Sequence, residues 1–134
     1  MKKFFLLTIT TLFLATVTYA YTKLEAKAIV AAAAIESDGY TIKGSKSGCL
    51  SRNGYVYRST YLYSGIDYVI IGVADNISDL DTTLYDENWR VVASDYSSDS
   101  VSQVNIRPSW DGKFYIKTKA YNGRGCYAQV IGWK

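Results

Sequence analysis

The sequence predicts an all-β protein whose strands form a jelly-roll-like antiparallel β-sandwich, with one α-helix near the N-terminus. Seven short segments that favour strands follow one another after residue 54, and clusters of Gly, Asn, Asp and Ser separate them. Tyrosine, a residue common in β-strands, occurs 13 times in 134 residues. The regular spacing of strands and turns is typical of a sandwich, whereas a parallel α/β sheet would alternate strands with helices.

Residues 1–20 are predicted to be a signal peptide. Lys2 and Lys3 precede an apolar stretch, and Thr18 and Ala20 are small residues at the −3 and −1 positions of a cleavage site. We therefore expect a secreted or periplasmic protein, cleaved near Ala20. A leader with two lysines and no acids lowers the formal charge from +3 to +1 when it is removed. This near-neutral charge predicts no nucleic-acid partner and no membrane association after cleavage.

The helix is predicted at the start of residues 21–53, which pack on the sandwich of residues 54–134 to make one domain. Thr22 and Glu25 form a capping box ahead of an alanine-rich stretch, and Gly39 is suited to ending the helix. One apolar stripe at helical spacing contains Leu24, Ala28, Ala31, Ala32 and Ile35. The polar face of this helix carries few basic residues, which disfavours binding to a membrane surface. Residues 41–53 are predicted to be a loop with at most one short strand.

The predicted strands span residues 55–63, 67–74, 80–85, 90–94, 101–107, 113–121 and 126–133. The clearest pair is the hairpin of residues 78–93, in which apolar and polar residues alternate on both sides of the turn residues 86–88. Further turns are predicted at residues 64–65, 75–76, 96–100, 110–112 and 122–125. Asp79 and Asp81 are expected at the rim of the sheet, where the strand of residues 80–85 begins.

Cys49 and Cys126 are the only cysteines, and both lie after the predicted leader. In an oxidising compartment an isolated pair most simply forms one disulfide. A reactive thiol is the alternative, but the sequence has no C-x-x-C spacing and no histidine to activate a thiolate. We therefore predict a structural disulfide between these two residues.

Aspartates in and around the predicted loops are candidate metal ligands. Ca²⁺ binds six to eight oxygen atoms, which loops between strands supply readily, so Ca²⁺ is the one cofactor that the sequence suggests, and none is required. The candidate ligands are Asp75, Asp79, Asp81, Asp86 and Asp95. The favoured alternative is that these residues form turns through hydrogen bonds to their own backbone.

Aromatic side chains give the second candidate site. Exposed Tyr and Trp on a sheet form a stacking surface for sugars or an anchor for a protein partner. The candidate ligand-binding residues are Tyr55, Tyr57, Tyr61, Tyr63, Trp89 and Trp110. The alternative is structural, because half-buried tyrosines are common on sandwich faces.

A series of motifs between about Leu62 and Trp133 resembles the bacterial pre-peptidase C-terminal domain, a module appended to many secreted peptidases. The motifs are Tyr63 to Tyr68, Asp79-Leu80-Asp81 leading into Leu84-Tyr85-Asp86, Val91 to Asp95, and Gly112 to Ile116 followed by Ala120-Tyr121 and Gly125 to Tyr127. The resemblance implies a jelly-roll-like sandwich and a non-catalytic accessory role, such as binding a polymer. It also implies that calcium is bound in some members.

The sequence as a whole favours an exported, non-catalytic binding or accessory module that recognises a polysaccharide or an extracellular protein. Without histidine, the chain lacks the usual means of activating a serine nucleophile or holding zinc. One alternative is a calcium-stabilised structural protein of the envelope or extracellular matrix. A second alternative is a small secreted hydrolase, which would need two carboxylates across a cleft. The oligomeric state is left open.

Overall fold

A computed structural model describes residues 23–134, so the predicted signal peptide and Thr22 of the capping box lie outside the described residues. Helix α1 spans residues 23–37 and ends at Gly39, whose φ of 91° confirms its predicted role. The strands are β1 Thr41–Leu50, β2 Tyr55–Leu62, β3 Tyr68–Tyr85, β4 Val91–Asp95, β5 Val101–Ile106 and β6 Gly112–Trp133. No helix in the described part of the chain is long and apolar enough to cross a membrane.

Two long antiparallel strands, β3 and β6, organise the fold. They pair from Tyr68↔Trp133 to Tyr85↔Tyr115, with register shifts between Asp75 and Leu80. On one side of these shifts β1 and β5 flank the pair, and on the other side β2 and β4 flank it. We call the half that contains β1 and β5 the helix-covered layer, because α1 packs on it. The half that contains β2 and β4 is called the open layer. The prediction of an all-β antiparallel sandwich with one N-terminal helix is confirmed.

The continuity of β3 and β6 corrects the prediction of turns at residues 75–76 and 122–125. The chain passes through these positions as bulges, and Asn76 and Gly123 adopt positive φ values of 61° and 86° there. The backbones also approach closely, because a Cβ on Gly125 would lie 2.0 Å from the carbonyl oxygen of Asp75. Turn-type residues therefore mark a bend within each strand, and six strands replace the predicted seven.

Strand β1 corrects the prediction of a loop at residues 41–53. Its intrinsic preference for a strand is weak, but it pairs with β6 from Thr41↔Trp133 to Leu50↔Gly125. Cys49 lies directly opposite Cys126, and the two form the predicted disulfide across 77 residues of sequence.

The main core lies between the two layers. Its buried residues are Leu62, Tyr68, Ile70, Leu84, Val104, Phe114, Ile116 and Ile131. On the other face of the helix-covered layer, Ala31 and Ile35 of α1 pack against residues that include Val69, Ile71 and Val130. The outer face of the open layer has no such cover among residues 23–134, and this exposed sheet face is where the candidate site lies.

Candidate functional site

Alternation along three strands builds the outer face of the open layer. Phe114 and Ile116 of β6 and Leu84 of β3 point into the core, so their neighbours in the sequence point outward. Three rows of side chains then cross the layer from β2 through β6 to β3: Tyr55–Lys119–Asp81, Tyr57–Lys117–Thr83 and Ser59–Tyr115–Tyr85. The pattern places tyrosines of β2 next to lysines of β6, and it places Asp81 of β3 on the other side of Lys119.

Five aromatic rings on this face contact one another, and we call them the aromatic face: Tyr55, Tyr57, Tyr85, Trp89 and Tyr115. Trp89 lies at their centre. Its ring is parallel to Tyr115 at a centroid distance of 4.1 Å and contacts Tyr57 edge-on at 5.3 Å. Tyr55 contacts Tyr57 at 5.6 Å, and Tyr85 lies 5.7 Å from Trp89. The rings therefore form a continuous surface.

Lysines lie among these rings. The Nζ of Lys117 is 4.7 Å from the centroid of Tyr55, and the Nζ of Lys113 is 5.4 Å from that of Tyr115. Both distances are within the range of cation–π attraction. The lysines thus hold the tyrosine rings in place and add hydrogen-bond donors to the face.

The backbone of Trp89 is unusual, with a φ of 61°. Asp86 fixes the turn of residues 86–90, because its Oδ1 accepts hydrogen bonds from the backbone N–H groups of Asn88 and Arg90. The position with positive φ in such hairpin turns favours glycine, and a bulky residue there costs about 1–3 kcal/mol. The turn therefore imposes strain on the residue whose ring completes the aromatic face.

A groove of about 490 Å³ adjoins the aromatic face. Tyr85 belongs to both, and Lys117, whose Nζ lies over the ring of Tyr55, also lines the groove. Asp79 and Asp81 line it from β3, and Asp79 is only 9% exposed. The Oδ1 atoms of both aspartates are buried and receive no hydrogen bond from the described residues. Burial, followed by the charge of the neighbouring Asp79, raises the pKa of Asp81 to about 6.

The five predicted metal ligands are not gathered in one place. Asp75 pairs with Lys23 and Lys27 of α1, at 3.5 and 3.7 Å, and Asp86 holds the turn before Trp89. Asp79 and Asp81 are adjacent. They lie inside β3, which corrects the expectation that they mark the rim of the sheet.

The fifth aspartate, Asp95, is held by its own neighbourhood. Burial acts to raise its pKa, but hydrogen bonds from Ser97 and Gln103 outweigh this effect and lower the pKa. Across residues 23–134 no three or more acidic, cysteine or histidine side chains form a group that could hold a metal ion.

The six predicted aromatic residues occupy three places. Tyr55, Tyr57 and Trp89 belong to the aromatic face. Tyr61 and Tyr63 contact each other at 5.2 Å near the other end of β2, and Trp110 stacks on Phe114 at 5.6 Å, outside the aromatic face. Tyr85 and Lys117 were not predicted, although both have the sequence parity of outward-facing residues in their strands.

Comparison with solved structures agrees with the fold. The chain is similar to the pre-peptidase C-terminal domain of a collagenase from Bacillus anthracis, with a TM-score of 0.56, 16% identity, and coverage of 66% of this chain and 87% of that one. It is also similar to the periplasmic inhibitor of g-type lysozyme from Aeromonas hydrophila, with a TM-score of 0.53, 9% identity, and coverage of 72% and 90%. The predicted resemblance in fold is confirmed. No protein-family model and no curated protein sequence matches the chain.

Proposed function

We propose that the protein is an exported, non-catalytic module that binds a polysaccharide on the aromatic face. The observation that carries this proposal is the set of five contacting rings on a sheet face that no other described residue covers. Trp89 remains 51% exposed despite its contacts. The apolar face of a sugar ring packs on an aromatic ring while its hydroxyl groups stay hydrated or bind polar neighbours.

The rigidity of the rings supports binding over a purely structural role. Tyr and Trp have few rotatable bonds, and those on this face are further restrained by ring contacts and by lysines. Less conformational entropy is then lost when a ligand binds. The strained backbone of Trp89 is explained if its ring must lie at this place.

The acidic residues support a binding module over the hydrolase alternative. Asp79 and Asp81 are neighbours on β3 and line the groove from the same strand, whereas the two carboxylates of a glycosidase lie on either side of the scissile bond, roughly 5–9 Å apart. The chain has no histidine to act as a general base. The disulfide supports export, because such bonds persist in oxidising compartments.

Affinity electrophoresis of the purified mature protein tests the proposal. The gels contain, one at a time, a neutral glucan, xylan or mannan, an anionic alginate, or a cationic chitosan. We expect retardation in at least one gel, and loss of that retardation in Trp89→Ala and Tyr57→Ala. Trp110→Ala is the matched control, because Trp110 is similarly exposed but lies outside the aromatic face.

Two outcomes contradict the proposal. The first is equal migration in all five gels and in a gel without polysaccharide. The second is retardation that Trp110→Ala abolishes as fully as Trp89→Ala does, because binding would then not depend on the aromatic face. Capture of a purified secreted protein together with the first outcome would favour the extracellular-protein alternative.

A further inference from the structure

The groove beside the aromatic face has a chemistry of its own. Its volume of about 490 Å³ is within the roughly 300–1,000 Å³ of small-molecule sites. The side chains that line it are Asp79, Asp81, Thr83, Tyr85, Tyr96, Ser98, Lys117, Lys119 and Tyr121. A hydrogen bond from Thr83 Oγ1 to the hydroxyl of Tyr96, at 3.2 Å, fixes one wall.

The two carboxyl groups need hydrogen-bond donors. When one of them is protonated, it can donate a hydrogen bond to the other. When both are ionised, neither can donate, and two negative charges remain close together with buried oxygens that lack a donor. Because Asp79 is nine-tenths buried, water compensates this charge poorly. A ligand in the groove that donates hydrogen bonds to the two carboxyl groups that line it offsets this charge.

We propose that the groove binds a neutral sugar ring of the polysaccharide, and that Asp79 and Asp81 accept hydrogen bonds from two neighbouring hydroxyl groups of that ring. This inference rests on the proposed function and names the ligand class and the residues that select it. The tyrosines of the groove walls cover the apolar face of the ring. The ammonium groups of Lys117 and Lys119 donate to its remaining oxygens.

The charges around the groove explain why the ligand is neutral. Two carboxyl groups and two ammonium groups line it, so a strongly charged ligand would meet repulsion from one of the pairs. The lysine Nζ atoms also lie over tyrosine rings, which keeps them near the groove. Sugar hydroxyl groups both donate and accept hydrogen bonds, so they satisfy both kinds of side chain.

Affinity should fall as the solution becomes acidic. A protonated Asp81 donates to Asp79 and no longer accepts from the ligand. The titratable groups that face Asp81 are Asp79 of β3, Asp95 of β4 and Lys119 of β6, with Tyr85, Tyr96, Lys117 and Tyr121 also lining the groove. With the pKa of Asp81 near 6, this carboxyl group is ionised in about one molecule in ten at pH 5, and only these molecules can bind. The affinity therefore falls about tenfold from its value at pH 7.5.

The test measures affinity for the polysaccharide that retards the wild-type protein, at pH 7.5 and at pH 5. Asp81→Asn and Asp79→Asn are the test variants, Glu36→Gln on α1 is the matched control, and Trp89→Ala reports on the aromatic face. We expect binding to a neutral polysaccharide, and a loss of about tenfold in each aspartate variant at pH 7.5. Asp81→Asn should also abolish the difference between the two pH values.

The outcomes separate the two proposals. If Trp89→Ala loses binding while both aspartate variants bind like Glu36→Gln, the groove inference is wrong and the proposed function stands. If the wild-type protein is retarded only by chitosan or only by alginate, the neutral-sugar inference is overturned. If no polysaccharide binds at all, the proposed function fails and the inference fails with it.

Discussion

Replacement of Asp81 by asparagine should stabilise the protein at neutral pH, even without any ligand. Asp81 titrates near pH 6 in the folded protein because burial and the neighbouring Asp79 disfavour its charge. A carboxyl group in an unfolded chain titrates near 3.9. Since the folded state holds this proton more tightly, the contribution of Asp81 to stability is fully present below about pH 3.9. It is lost as the pH rises through about 6, so the ionised carboxyl is a cost at pH 7.5.

The magnitude follows from the two pKa values. Their difference corresponds to about 3 kcal/mol of unfolding free energy that is absent above pH 6. Asp81 is partly exposed, so solvent screening reduces this effect, and we expect Asp81→Asn to be about 1 kcal/mol more stable than the wild type at pH 7.5. Asparagine is neutral at every pH and can donate to Asp79, so the advantage should disappear by about pH 4.

Urea unfolding followed by tryptophan fluorescence, at pH 4, 5.5 and 7.5, measures these free energies. Glu36→Gln is the control, since it removes one exposed acid far from the groove. The reasoning is refuted if Asp81→Asn is no more stable than the wild type at pH 7.5. It is also refuted if Glu36→Gln gains as much, because the gain would then not depend on the position of Asp81 in the groove.

Three further predictions concern stability. Replacing both Cys49 and Cys126 by serine removes a cross-link that restricts the unfolded chain over 77 residues of sequence. The unfolding free energy, measured in guanidinium, should fall by up to about 4.5 kcal/mol. A loss below about 1 kcal/mol would contradict this explanation by chain entropy. Leu84→Ala, at a fully buried site, should cost about 3 kcal/mol in urea, and an unchanged midpoint would contradict its place in the core. Millimolar Ca²⁺ should raise Tm over EDTA by less than about 2 °C, because no three acidic side chains among the described residues form a group that could hold the ion. A rise of several degrees would favour the calcium-stabilised alternative.

Much of the fold was predictable because local patterns and tertiary structure agree. The hairpin of β3 and β4 follows the alternation of Leu80 and Leu84 with polar residues, and the stripe of α1 matches the surface that packs on the sheet. One error occurred where the same residue types serve two purposes. Asn76 and Gly123 permit positive φ in a turn and in a bulge alike, so the sequence could not distinguish a chain reversal from a bend.

The candidate site was predictable only in part, because it depends on register across strands. Alternation along β2 places Tyr55 and Tyr57 on one face, but nothing local shows that Lys117 and Thr83 lie beside Tyr57. The spacing of Asp79 and Asp81 predicts a shared face, whereas their burial depends on the strands and loops around them. Long-range pairing of this kind is invisible in a single sequence.

Features that cost stability converge on the outer face of the open layer. Three non-glycine residues in the described part have positive φ: Asn53 and Asn76, of a type that tolerates this conformation, and Trp89, which does not. On the same face, Asp79 and Asp81 place two carboxyl groups close together, one of them nine-tenths buried and the other partly buried. Strain and buried charge persist where function requires them, while the rest of a fold obeys its local rules. Because Tyr85 and Lys117 join the two features into one surface, a single ligand contacting both explains why they occur together.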